Sequence, residues 1–230
     1  MYSATRLQLL TLPLLALMCM SGQVRRSHVA YTASQLITYC IDDASRISLP
    51  MEDVEMTIEI PGIDGLVLRA SSSARFELRR DGKILYSFHI DDFSNPNGML
   101  VWAPDGEAFA VVYSDGGAIG NFHVRLFTIS GEVVNDVSRA IEPAVTEFKS
   151  RHYCKTRGNN VTALKFIGDA RHLLLMTDVY PTGDCGADLG HTEGYVISVP
   201  DGKIQRHLSL QELKRFPGIC LENDPEGKYP

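Results

Sequence analysis

One short segment in the C-terminal third of the chain concentrates side chains that could bind a cation. The sequence DCGADLGHTE carries four of them within ten residues, namely Asp184, Asp188, His191 and Glu193. Carboxylate oxygens at this spacing can bind calcium, although the spacing differs from that of an EF-hand loop. A loop that is polar and glycine-rich only because it must turn has the same composition. We therefore assign no metal ligand, keep calcium as an alternative, and expect no other cofactor.

Two further polar loops, DDFSNPNG and SDGGAIGN, and the segment KTRG have a similar character. Binding residues lie on loops carried by a rigid scaffold more often than on the scaffold itself. The candidate ligand-binding residues are Asp91, Asp92, Asn95, Asp115, Asp184, Asp188, His191 and Arg157. No catalytic residue is assigned, because the sequence contains neither G-x-S-x-G nor H-E-x-x-H.

The elements that position these loops form a repeat. In the middle of the chain, MLVWA, the turn PDG, AFAVVY, FHVRLFTI, the turn SGE and VVNDV predict four consecutive antiparallel strands. In the first turn Pro104 sets φ and Gly106 accepts a positive φ. The same order of strands and turns recurs downstream, from VTALKFI to IQRHLSL, and upstream, from VEMTIEI to ILYSFHI. The predicted units are residues 54–90, 99–137 and 161–210.

The strand order also predicts where the loops lie. Successive antiparallel strands reverse direction, so the link between the second and third strands and the link that leaves the fourth strand emerge at the same end of a sheet. The polar loops belong to these two kinds of link. We therefore expect the candidate binding residues to gather at this end of the units, which we call the loop-rich end.

The segment VWAPDGEAFAVVYSDG, followed by VRLFTISGEV, resembles the WxPDG repeat of TolB-type beta-propellers. One unit carries the motif, and the other two follow its strand pattern. The resemblance and the repeat predict an all-β, propeller-like array of three four-stranded antiparallel units, with a β-sandwich as the alternative. Closed propellers have about four to eight blades, which is more than the three units predicted here. Three arrangements are therefore open: residues 24–53 supply further strands, the units form an open stack, or copies of the chain associate.

The N-terminus has the features of a secretory signal peptide. A positive charge at Arg6 precedes an apolar stretch over residues 7–20, and small residues follow it. We expect cleavage after Ser21 or Gly22, so that residues 1–22 are a signal peptide, with a retained membrane anchor as the alternative. The mature protein is then expected to be secreted or periplasmic and to have no stable membrane span.

The remaining segments lie outside the three units. Residues 23–53 form an N-terminal segment in which a short helix and a strand are both compatible with the sequence. EPAVTEFKSRHY has a proline and an acidic residue at its start, both typical of a helix N-terminus. Ser209 and Glu212 form a capping-box pattern, so residues 211–230 are predicted as a C-terminal helix and tail.

Removal of the signal peptide would remove Cys19 and leave four cysteines in an oxidising compartment, which favours disulfides. Four cysteines permit three pairings. The strand order places Cys154 and Cys185 at the same end of one unit, so we prefer a Cys154–Cys185 disulfide. Cys40 and Cys220, which flank all the units, would then pair and join the termini.

The net charge narrows the class of partner. The 230-residue chain carries a formal charge of −6, whereas nucleic-acid binding relies on Lys and Arg, so nucleic acid is not expected as a partner. By analogy of fold we expect a non-catalytic binding or interaction module that holds a protein, small-molecule or glycan partner at the loop-rich end. The alternatives are a carboxylate-dependent hydrolase or lyase, with or without a metal, and a homo-oligomer that completes the propeller.

Overall fold

The structure is a computed structural model that describes residues 30–31, 37–40, 46–48, 56–60, 64–71, 75–91, 94–115, 121–152, 159–179 and 185–223. Several predictions from the sequence lie outside these residues. They are the signal peptide and the roles of Asp92, Cys154, Arg157 and Asp184.

The described residues form strands grouped into four sheets. The N-terminal segment contains β1 (Ala30–Tyr31), β2 (Ile37–Cys40) and β3 (Arg46–Ser48). The first unit contains β4 (Met56–Glu59), β5 (Leu66–Ala70), β6 (Arg75–Arg80) and β7 (Lys83–His89). The second unit contains β8 (Ser94–Trp102), β9 (Ala108–Ser114), β10 (Phe122–Ser130) and β11 (Val133–Asp136). The third unit contains β12 (Asn159–Phe166), β13 (His172–Val179), β14 (Thr192–Ser198) and β15 (Ile204–Ser209), and β16 (Cys220–Asn223) follows it.

Each unit is an antiparallel meander in which every strand pairs with the next one along the chain. The predicted all-β, propeller-like array of three four-stranded units is therefore confirmed.

The N-terminal segment adds strands that the repeat did not predict. Strand β3 pairs with β8 and becomes the fifth strand of the second sheet. Strands β1, β2 and β16 form a separate three-stranded sheet, in which Cys220 lies directly opposite Cys40. Strands from before the first unit and after the third unit therefore share one sheet.

The burial pattern explains why neighbouring units pack together. In β5 the buried Leu66, Leu68 and Ala70 alternate with half-buried residues, so one face of this strand is covered. In β13 every residue from Leu173 to Val179 is buried, so this strand is covered on both faces.

Two apolar cores lie between consecutive sheets. The first joins the first and second units through aromatic residues that include Phe76, Phe88, Trp102, Phe109 and Phe127. The second joins the second and third units and the helices. Each fully buried Phe or Leu side chain contributes about 1.5–3 kcal/mol to stability. The stacking of sheet face on sheet face is the arrangement of propeller blades.

Two helices flank the third unit. A 3₁₀ turn, Ser138–Ile141, leads into α1 (Glu142–Arg151), which has a proline in its first turn as predicted. Helix α2 (Leu210–Lys214) begins with the predicted capping box, because Ser209 and Glu212 each accept a hydrogen bond from the other's backbone N–H. Helix α1 lies in the link between β11 and β12, which places it at the loop-rich end. Within the described residues, neither helix has the length and apolar character needed to cross a bilayer.

Candidate functional site

A cleft opens between the second and third units at the loop-rich end. Its volume is about 460 Å³, within the usual range for small-molecule sites. The end of β9, the start of β10, the start of β12 and one side of α1 line it. The lining residues are Tyr113, Asn121, His123, Val124, Ser138, Ile141, Glu142, Val145, Thr146, Lys149, Asn159 and Val161.

Asp115 holds one side of this cleft in place. Its Oδ1 accepts a hydrogen bond from the Asn121 backbone N–H at 2.7 Å, and its Oδ2 lies 2.9 Å from His123 Nε2. Burial acts to raise the pKa of Asp115, but the hydrogen bonds from His123 and Asn121 outweigh burial and lower it. Asp115 is therefore an ionised anchor for two residues of the cleft lining.

A second group of polar side chains gathers beside α1 and is centred on Glu193. We call it the His–Glu cluster, and its members are Glu147, Arg151, His152, Asp188, His191, Glu193, Tyr195 and His207. Strand β14 supplies Glu193 and Tyr195, which point to the same face because they are two residues apart. His207 lies opposite Tyr195 on β15. The C-terminal end of α1 adds Arg151 and His152.

The two oxygens of Glu193 have different partners. Oε1 lies 3.3 Å from His152 Nε2 and 3.4 Å from His191 Nε2. Oε2 accepts a hydrogen bond from Tyr195 Oη at 2.7 Å and one from Arg151 Nη2 at 2.7 Å, and it lies 3.1 Å from His207 Nε2. Arg151 Nη1 also donates to Oε1, at 3.1 Å.

Glu193 is ionised in this setting. Its side chain is only 8% exposed, and burial acts to raise its pKa. The hydrogen bond from Tyr195, together with the charges of His207 and Arg151, outweighs burial and lowers the pKa of Glu193. Burial and the hydrogen bond to Glu193 raise the pKa of Tyr195, so the phenol remains a donor. A buried, ionised carboxylate with three nearby imidazoles is a donor set suited to a metal cation.

The described residues among those predicted from the sequence lie in four places. Asp188 and His191 belong to the His–Glu cluster. Asp115 supports the cleft, whereas the side chain of Asp91 is 94% exposed and lies 3.5 Å from His89. Asn95 lies within β8, and the structure describes the backbone of this residue. The structure therefore brings Asp188 and His191 together and places Asp115 beside a different feature.

Several members of the His–Glu cluster are not among the residues predicted from the sequence. Glu193 belongs to the calcium segment only, and His207 lies in the predicted strand IQRHLSL with no role assigned to it. Alternation along β14 would have placed Glu193 and Tyr195 on one face, and the helix pattern would have placed Arg151 and His152 at the loop-rich end. No signal in the sequence indicated that β14 and the C-terminal end of α1 lie side by side.

One cysteine prediction and one modification motif also bear on the loop-rich end. Cys185 is disulfide-bonded, and Cys154 lies outside the described residues, so the Cys154–Cys185 pairing stays a prediction. Asn160 begins the sequence NVT, a glycosylation acceptor pattern. Its side chain is fully buried and bonded to Phe122 and Asp178, so it is inaccessible to modification in the folded protein.

The sheets and their packing define the class of the molecule: an all-β, propeller-like protein with helices at one end. No protein-family model matches the chain, and no curated protein matches it. A solved structure with a similar fold is the Cps50 (Swd1) beta-propeller domain of Myceliophteria thermophila, with a TM-score of 0.39 and 12% sequence identity. The match covers 78% of this chain and 54% of that domain, so the chain spans about half the length of the propeller it matches.

Proposed function

We propose that this protein is an exported, non-catalytic binding module that holds a small polar molecule in the cleft between its second and third units. The observation that carries the proposal is the cleft itself, about 460 Å³ in volume and lined by two sheets and α1. Ligand sites are commonly concave, largely preformed and placed where structural units meet.

The lining indicates the class of ligand. Val124, Val145 and Val161 supply apolar surface, and Tyr113 supplies an aromatic ring. The amides and hydroxyls beside them can bond polar substituents; these groups belong to Asn121, Ser138, Thr146 and Asn159. Among the described lining residues Glu142 and Lys149 carry opposite charges, which favours an uncharged ligand. A sugar or short glycan, with hydroxyls around an apolar ring face, has this chemistry.

The alternative of a carboxylate-dependent hydrolase or lyase requires two or three carboxylates that converge in one pocket. Within the part of the chain that the structure describes, Glu142 is the single carboxylate that lines the cleft. The mixed amide and apolar lining therefore supports binding as the role of this cleft.

Two finer aspects of the proposal rest on the sequence. We assign the repeats to the TolB type because of the WxPDG motif, and what supports this is the turn itself, where Gly106 has a φ of 71° and Asp105 accepts the Glu107 backbone N–H. We assign the mature protein to the periplasm or the extracellular space because of the apolar N-terminus. Intact-mass analysis of the purified mature protein should show that residues 1–22 are missing, and a retained leader would reject export with cleavage.

The binding proposal is tested with a glycan array followed by titration of the best ligand. Val145→Phe fills part of the cleft from α1, and we expect it to weaken binding at least tenfold because the larger side chain takes the ligand's space. Val133→Phe makes the same change on β11, where the side chain is 58% exposed, and should leave affinity unchanged. Equal affinities in the two variants would reject the cleft as the binding site.

A further inference from the structure

We infer that His152, His191 and Glu193 bind one Zn²⁺ ion, with Asp188 orienting His152 from behind. This inference is independent of the proposed ligand of the cleft. It rests on the donor atoms, their separations and the charge of the His–Glu cluster.

The donor atoms converge. His152, His191 and Glu193 each offer one ligand atom, and all three atoms lie within 4.8 Å of one another. The two measured separations, 3.3 Å from His152 Nε2 and 3.4 Å from His191 Nε2 to Glu193 Oε1, match the spacing in a zinc site. Two ligand atoms about 2.0–2.1 Å from a tetrahedral Zn²⁺ lie about 3.4 Å apart.

The chemistry of the donors selects the class of ion. Two imidazole nitrogens and one carboxylate oxygen form a set that Zn²⁺ and related transition metals prefer, whereas calcium takes oxygen ligands. The calcium alternative from the sequence relied on Asp184, Asp188, His191 and Glu193. In the cluster, two of the three converging atoms are imidazole nitrogens, from His152 and His191. Three protein ligands leave a fourth position for water or another ligand atom.

A second carboxylate fixes the orientation of one ligand. Asp188 Oδ1 lies 3.0 Å from His152 Nδ1, on the opposite side of the imidazole from Glu193. A carboxylate at this nitrogen holds the tautomer that leaves the Nε2 lone pair available to a metal, and this carboxylate–histidine–metal arrangement recurs in zinc sites. The rings of His152 and His191 stack on each other with their centroids 3.6 Å apart, and the fully buried Phe148 lies 5.2 Å from His152. Both Nε2 atoms therefore reach one ion when the two rings turn apart.

The charge of the cluster suits a divalent cation. Glu147, Asp188 and Glu193 are carboxylates and Arg151 is a guanidinium, which leaves a formal charge of −2 when the histidines are neutral. The Nη2 atom of Arg151 bonds Glu193 Oε2 and Tyr195, and its Nη1 atom bonds Oε1, so the guanidinium neutralises part of the charge of Glu193. Tyr195 and His207 likewise contact Oε2, whereas Oε1 faces the two ligand histidines and also accepts a hydrogen bond from Arg151 Nη1 at 3.1 Å.

The site is tested on the purified mature protein after treatment with a chelator and its removal. Isothermal titration with ZnCl₂ should show one equivalent bound, and Zn²⁺ should raise the melting temperature. Titration with CoCl₂ should give the visible absorption of a four-coordinate ion with nitrogen and oxygen ligands. His191→Ala, at a side chain 42% exposed, should abolish both signals with little effect on folding.

Matched variants distinguish a specific metal site from nonspecific binding of Zn²⁺ to exposed histidines. His172→Ala removes a similarly exposed histidine on β13, near Asp169, and should bind Zn²⁺ like the unmodified protein. Asp188→Asn keeps all three ligands and should weaken Zn²⁺ about 10- to 100-fold. Stoichiometric Zn²⁺ binding lost in His191→Ala but kept in His172→Ala supports the site. The absence of stoichiometric binding, equal affinities across the variants, or a response to CaCl₂ in place of ZnCl₂ would overturn it.

Discussion

Asn160 and Asp178 lie directly opposite each other on β12 and β13, and Asn160 Nδ2 donates to Asp178 Oδ2 at 2.9 Å. The same Asn160 accepts the backbone N–H of Phe122 through Oδ1 at 3.0 Å. One side chain therefore connects β12 of the third unit to β10 of the second unit. Asp178 is fully buried, and its Oδ1 has no hydrogen-bond partner among the described residues.

The buried Asp178 should make stability depend on pH. Burial raises its pKa to about 6, although the hydrogen bond from Asn160 acts in the opposite direction. Because the folded-state pKa exceeds the unfolded value of 3.8, the stability linked to protonation is fully present below about pH 4 and is lost as pH rises through 6. Above pH 7 the free energy of unfolding is therefore about 3 kcal/mol lower than below pH 4, as far as Asp178 contributes to it.

Asp178→Asn should remove this loss, so that urea unfolding at pH 5 and pH 8 shows a flatter pH dependence than in the unmodified protein. The variant should also be the more stable of the two at pH 8. Asp64→Asn replaces an exposed aspartate and serves as the control, for which we expect the original pH dependence. Identical pH profiles for all three proteins would contradict the assignment to Asp178.

The pairing of β2 with β16 predicts a disulfide between these two strands. Cys40 and Cys220 are opposite each other in the register, and opposed residues of antiparallel strands have Cα atoms about 4.5–5.5 Å apart, a distance that a disulfide spans. The bond would enclose about 180 residues and would stabilise the protein by roughly 5 kcal/mol in the chain-entropy treatment.

Peptide mapping of the mature protein without reduction should recover Cys40 and Cys220 in one linked pair. Cys40→Ser and Cys220→Ser should lower the free energy of unfolding by similar amounts, and the double variant should cost no more than either single change. Free thiols at both positions in the mature protein would reject the bond.

The parts of the fold that the sequence predicted are those encoded over short distances. The turns PDG and SGE and the apolar runs beside them lie within about ten residues of one another, and they specify the meanders directly. The pairing of β3 with β8 and of β2 with β16 joins residues far apart in the chain. Such pairings depend on where the finished units leave an open sheet edge, and no local pattern encodes that.

The candidate site shows the same division. Asp188 and His191 lie just before Glu193 in one short sequence segment, so the sequence could indicate them together. Arg151 and His152 join them because Ala144 and Phe148, fully buried on the same helix, pack α1 against the second core. Tertiary packing therefore brings the helix to the loop, and the sequence provides only the two components.

Gly194 should be intolerant of even one added methyl group. A Cβ at this position of β14 would lie 2.5 Å from Leu213 Cδ2 and 2.7 Å from its Cγ, and Leu213 is fully buried on α2. Gly194→Ala should therefore cost about 1–3 kcal/mol by overpacking. Leu213→Ala alone should also cost about 2–5 kcal/mol. In the double variant the small side chains relieve the clash, so the sum of the single costs should exceed the double cost by about 1 kcal/mol or more.

Denaturant unfolding of the four proteins in this cycle measures the coupling free energy directly. Additive costs would show that α2 moves away from β14 without strain. The close packing of α2 on the third unit would then contribute nothing measurable to the free energy of unfolding.

Asp105, in the PDG turn between β8 and β9, should contribute more to stability than Asp201, the aspartate of the PDG turn between β14 and β15. Its Oδ1 accepts the backbone N–H of Glu107 at 3.0 Å, and its Oδ2 accepts the N–H of Ala170 at 2.9 Å, across the boundary between the units. Asp201 is the aspartate of the turn PDGK between β14 and β15, where its Oδ1 accepts the N–H of Lys203 at 3.3 Å. Asp105→Ala should therefore lower the free energy of unfolding by about 1–3 kcal/mol, because it also leaves the half-buried N–H of Ala170 without its acceptor, and Asp201→Ala by about 0.5 kcal/mol. Urea unfolding of both variants at pH 7 checks the difference, and equal costs would show that the bond to Ala170 does not help to hold the second and third units together.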